Sequence, residues 1–148
     1  MEIKFMENQY FTIKDYPNDI YNAVGQIIKA SQEWEVKYKK LAVKLELPVK
    51  NIDNSSLNKL NDALKKHNII IEKDYNNLKK VIEIRNYINH DFFIDKFDRN
   101  YDDYDLKIKE MQNFLNATMF LIYEATDVID NKIDELNGST IKRPTVFD

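Results

Sequence analysis

The run IKEMQNFLNATMFLIYEATDVIDNKIDEL at positions 108–136 decides the fold class. Its apolar residues Ile108, Met111, Leu115, Met119, Ile122, Ala125, Ile129, Ile133 and Leu136 recur at intervals of three and four, the spacing that stacks side chains on one face of an α-helix. A strand cannot use such a stripe, because its side chains alternate between faces at every residue. The pattern holds from about Asp105 to Asn137, about nine helical turns. Gly138 stands just beyond it, where a helix end favours a residue free to take a positive φ.

Working back from this run, three more helical stretches appear. From about Glu72 to Phe93, Tyr75, Leu78, Val81, Ile82, Ile88 and Phe92 keep helical spacing, and Arg85 lies inside the same stripe. A shorter helix is marked by Ser55 or Ser56 as N-cap, by Leu57, Leu60 and Leu64 on one face, and by His67 and Asn68 at its close. The first long run follows Pro17, a residue tolerated in a first helical turn. It carries Ile20, Val24, Ile27, Ile28, Trp34, Tyr38, Leu41 and Leu45 and ends at Leu47 and Pro48. With two glycines and three prolines in 148 residues, few turns interrupt these runs. The expectation is a single all-α domain, a four-helix bundle-like core over residues 17–137 with two long helices. A short extended segment over residues 1–16 precedes it, and a tail over residues 138–148 follows. The acidic stretch Asp95 to Asp105 is expected to be a solvated loop or frayed helix start.

A hydrophobic content of 43% is enough for one core of ordinary size. Acids outnumber bases by 25 to 22, and the formal charge of -3 gives no general attraction for a polyanion, so any nucleic-acid contact has to be local. The absence of cysteine excludes disulfides and thiolate catalysis. Met1 to Asp15 lacks the unbroken apolar core of a signal peptide, and Phe114 to Tyr123 is far shorter than the roughly 20 apolar residues of a membrane span. No membrane association and a cytoplasmic location are expected. Asp98, Asn100, Asp102 and Asp103 have the look of a calcium loop, but Asp103 stands where glycine is needed and Lys109 where glutamate is needed. His67 has no ligand partner nearby in sequence, and neither a metal nor a cofactor is expected.

The chemistry is concentrated in Val81-Ile82-Glu83-Ile84-Arg85-Asn86-Tyr87-Ile88-Asn89-His90-Asp91-Phe92-Phe93. On a helix Arg85 lies over Asn89 and Asn86 over His90, while Arg85 and His90 are about 140° of rotation apart. Arginine and histidine with four residues between them, and a polar Asn86 directly after the arginine, resemble the Arg-x4-6-His motif of the HEPN family. That resemblance rests on six residues, Arg85 to His90, and loosely on the helical layout of residues 17–137. It implies a helical bundle with the motif toward the end of a long helix, and in many members a metal-independent endoribonuclease whose site is shared across a homodimer. It also implies a toxin or antiviral effector. The tyrosine that HepT-type toxins carry two residues past the histidine is Phe92 here, so nucleotidyl transfer to that position is not expected.

The expected reaction is attack of an RNA 2′-hydroxyl on its neighbouring phosphate. Histidine side chains exchange protons near neutral pH, which suits His90 to general acid or base work. Arg85 would hold the phosphate oxygens as charge develops, and Asn86 would orient His90 or donate to phosphate. An isologous dimer would bring two copies of the patch together, and Arg85 on an otherwise apolar stripe, with Ile88 and Phe92 beside it, is what such an interface would need. From Lys59 to Arg85 there are seven bases and four acids, an excess that would steer phosphate; Lys79, Lys80 and Asn89 are the candidate substrate contacts. Against this stands a non-catalytic helical binding module, such as a phage-borne inhibitor, a regulatory subunit or an antitoxin, acting through the acidic stretch from Asp91 to Asp105. In it Arg85 would be ion-paired with an acid near Glu83 or on the final helix, His90 would interact with helix-end carbonyls, and the lysines would form a solvated face.

Overall fold

A computed structural model describes residues 16–94 and 103–138. Four α-helices account for most of them: α1 (Asn18–Lys44), α2 (Leu57–Lys66), α3 (Glu72–His90) and α4 (Tyr104–Leu136), with a 3-10 turn at Ile52–Asn54 before α2. The fold is all-α and bundle-like, and no strand occurs among the described residues. No helix among them is long and apolar enough to cross a membrane. Residues 1–15 of the extended segment expected over 1–16, residues 95–102 of the acidic stretch and residues 139–148 of the tail expected over 138–148 lie outside the described residues.

The helix ends follow local chemistry. Pro17 is the N-cap of α1, one position before the first turn that its fixed φ would also suit. Of the two candidate serines before α2, Ser56 is the cap, its hydroxyl accepting from the Lys59 N–H at 3.2 Å. Asp103, in the stretch expected to be a solvated loop or frayed helix start, caps α4 by accepting from the Leu106 N–H at 3.2 Å. Both α1 and α2 end in a Schellman turn. Leu47 N–H reaches Ala42 O with Glu46 at φ 52°, and Ile69 N–H reaches Leu64 O with Asn68 at φ 59°. Asparagine tolerates that left-handed conformation, whereas Glu46 holds it at some strain. Gly138, at φ 76°, takes the same role after α4. The Ile52–Asn54 turn carries no periodicity that would announce it, and it starts from Asn51, also left-handed at φ 63°.

Two side-chain links fix the relation between the longest helices. Gln112 donates to Asp19 at 2.8 Å and Lys37 to Asp130 at 2.6 Å, so contacts eighteen residues apart on α1 meet contacts eighteen residues apart on α4 in the same order. The two helices therefore run parallel and in register. α3 runs the other way, since Arg85 meets Glu35 while Phe93, just past its end, meets Tyr21 near the start of α1. α2 packs near the far end of α1, at Tyr38. The core contains Ile20, Ile27, Trp34, Tyr38 and Leu41 of α1, Leu78 and Ile82 of α3, and Met111, Leu115, Ile122 and Ile129 of α4.

One polar connection crosses this core. Tyr38 donates its hydroxyl to Asn61 Oδ1 at 3.3 Å, and Asn61 Nδ2 donates to the Tyr75 carbonyl at 3.2 Å, tying α1, α2 and α3 together. Burial pushes the Tyr38 hydroxyl well above the ordinary tyrosine range, so it stays a neutral donor. Asn61→Ala removes both bonds and strands the buried Tyr38 hydroxyl. It should lower the unfolding free energy by roughly 2–3 kcal/mol, and Tyr38→Phe by about 1 kcal/mol. Urea denaturation followed by circular dichroism measures both; equal, negligible losses would mean that the connection adds nothing.

Candidate active site at the end of α3

α3 ends where its carbonyls are gathered by the turn that follows. The Tyr87 carbonyl accepts from Asp91 N–H at 2.8 Å and from Phe92 N–H at 3.0 Å, and Ile94 N–H then reaches Asp91 O at 3.1 Å. His90 is thus the last residue of the helix, and Phe92 is folded back into the core. Because α3 is antiparallel to α1 and α4, this turn meets the starts of both.

The structure separates the roles of the motif residues. Arg85 lies within the stripe of Leu78, Val81 and Ile82, with its side chain 18% exposed. Its Nη2 donates to Glu35 Oε2 at 3.0 Å and its Nη1 to Asn86 Oδ1 at 3.1 Å. Two of the five guanidinium donors are engaged in this way, while the buried Nε–H has no hydrogen-bond partner among the described residues. Glu35 Oε1 also receives Lys39 Nζ at 3.5 Å, so the cluster of two cations and one carboxylate keeps a net charge of about +1. Asn86 is half-buried, and its carbonyl oxygen is turned to Arg85. His90 and Asn89 are exposed, and the His90 side chain makes no hydrogen bond or ion pair with a described residue.

Several expectations change here. The acid facing Arg85 is on α1, not near Glu83 or on the final helix. Ile88 and Phe92, expected beside Arg85 at a subunit interface, are buried in the chain's own core at 4% and 1% exposure. The residues left outward at this turn are Asn89, His90, Asp91 and Ile94. Lys79 and Lys80 are exposed, and at 1.5 Å per residue they lie about 15 Å along α3 from His90 and about 8 Å from Arg85. Among the described residues no three of His, Cys, Asp and Glu come together as a metal-ligating group.

Glu35 and Lys39 were not legible as site residues, because nothing in a one-dimensional pattern pairs the middle of the first helix with the end of the third. The only signal was the position of Glu35 beside Trp34, at the margin of an apolar stripe. Comparison with family models, curated proteins and solved structures finds no match to this chain.

The Glu35–Arg85 pair is largely screened from water, and removing one member leaves the other partly desolvated. Glu35→Ala should therefore destabilise the fold by roughly 1–3 kcal/mol, with Glu35→Gln recovering part of the loss by keeping one hydrogen bond. Differential scanning calorimetry of the two variants reads this directly; an unchanged melting temperature in Glu35→Ala would show the pair to be energetically idle.

Proposed function

We propose that this chain is an RNA-cleaving protein of the HEPN type. One observation carries the reading: at the end of a long helix, a guanidinium is held by Glu35 and Asn86 with donors to spare, while a histidine with four residues between it and that arginine stands open to solvent. That division of labour suits transfer at a phosphodiester. A fixed guanidinium stabilises the phosphate oxygens without reorganising as negative charge builds. An unencumbered imidazole takes the proton from the 2′-hydroxyl or returns one to the departing 5′-oxygen. A cyclic phosphate forms as the bond to the 5′-oxygen breaks, and only protons move between protein and substrate.

Both proton transfers call for two groups, and one chain offers a single histidine at this site. A homodimer joined through the outward residues of the α3 turn supplies the second. By resemblance the biological setting is that of a toxin or antiviral effector, with an antitoxin or other protein as regulatory partner.

Arg85→Ala and His90→Ala should each reduce cleavage of single-stranded RNA by at least about 100-fold with the helical circular dichroism retained. Arg85→Lys should not restore activity, because a point charge cannot replace the planar fork. Full cleavage by both alanine variants would dismiss the proposal. Full-rate cleavage by a protein that sediments as a monomer would dismiss the shared site alone.

The neutralisation of Arg85 by Glu35 favours one competing reading, in which the pair is a strut and the chain is a non-catalytic binding module. Under that reading Arg85→Ala lowers stability and leaves RNA intact in parent and variant alike. Of the acidic residues expected to form its contact surface, Asp98 and Asp102 lie outside the described residues, and Asp103 is engaged as the cap of α4.

A further inference from the structure

Six aromatic rings form a continuous series at the end of the bundle that carries His90. Tyr87, Phe92 and Phe114 meet at centroid distances of 5.7 to 6.3 Å and close the core there. Phe93 continues outward from Phe92 at 5.0 Å, and Tyr21 stacks on Phe93 at 5.5 Å with 30° between the planes. Tyr16, itself buried, backs both outer rings at 5.6 and 6.0 Å and carries Lys107 Nζ 4.7 Å from its centroid.

Phe92 and Tyr16 are buried and Tyr87, Phe114 and Phe93 are half-buried, whereas Tyr21, at the outer end of the series, remains 40% exposed. A tyrosine left at the surface on an aromatic backing contributes little to a core, but its ring is held in place by the rings beneath it. Phe93 follows His90 by three residues, which a chain can span by at most about 11 Å. The platform therefore lies within reach of a base whose own phosphate is held at the motif, with the Lys107 ammonium beside it.

We propose that Tyr21 and Phe93, backed by Tyr16, form a stacking platform for one unpaired base of single-stranded RNA next to the bond to be cleaved. This deepens the ribonuclease reading and rests on it for its choice of ligand. Every base has a π face, so stacking selects for an unpaired strand with little regard to sequence, and Lys107 adds attraction for the backbone. Duplex RNA, whose bases already stack on one another, does not use the platform.

The test uses the full chain and a single-stranded 2′-O-methyl RNA containing 2-aminopurine, which lacks the attacking hydroxyl and reports stacking by fluorescence quenching. The parent should bind with quenching. Tyr21→Ala should weaken binding by roughly 5- to 100-fold and abolish the quench, while Tyr21→Phe retains both. Undiminished binding and quenching in Tyr21→Ala would overturn the platform, and if the parent still cleaves unmodified RNA, the ribonuclease reading survives that result. Binding with quenching but no cleavage of unmodified RNA would uphold the platform and remove the nuclease. A parent that binds no single-stranded RNA overturns both.

Discussion

The parallel, in-register packing of α1 against α4 is the constraint on which the rest depends. Two helices that run the same way cannot be joined by a tight turn, so the chain has to travel back between them. α3 makes that return, with α2 packed near the far end of α1. The end of α3 is consequently delivered to the place where both long helices begin. Residues distant in sequence meet there: Tyr16 and Tyr21 from the start of the described chain, Phe93 from the α3 turn, and Phe114 and Lys107 from the first turns of α4.

The same geometry explains why one motif residue is held and the other is open. Arg85 falls on the inward stripe of α3, where a guanidinium can remain only beside a carboxylate, and antiparallel alignment places Glu35 opposite it. His90 falls on the last turn, and its rotation about the axis carries it outward although Ile88 and Phe92 on either side of it are buried. Asn86 bridges the two situations, half-buried and turned toward the arginine. A polar residue directly after the arginine thus has a physical task, to complete the hold on the guanidinium from the helix that carries it.

Much of this architecture was legible beforehand, and for identifiable reasons. The stripe from Ile108 to Leu136, the cap at Ser56 and the terminator at Gly138 each act within a few residues of themselves, through helical spacing, a side-chain acceptor and a positive φ. The inward placement of Arg85 was equally local, set by its spacing from Leu78, Val81 and Ile82. The cap role of Asp103 was obscured because an acidic stretch reads equally as solvated loop or frayed helix start until one carboxylate is seen to face free N–H groups.

Sequence by itself determined the helices, where most of them stop, and which side of α3 the arginine and histidine occupy, because these follow from backbone geometry and near-neighbour contacts. Only the tertiary structure decided that α1 and α4 run parallel, that Glu35 is the partner of Arg85, and that Ile88 and Phe92 belong to the interior instead of a subunit surface. Those outcomes depend on which apolar faces bury one another across fifty or more residues. Burial is non-directional, so an apolar stripe specifies that it will be covered without specifying by what.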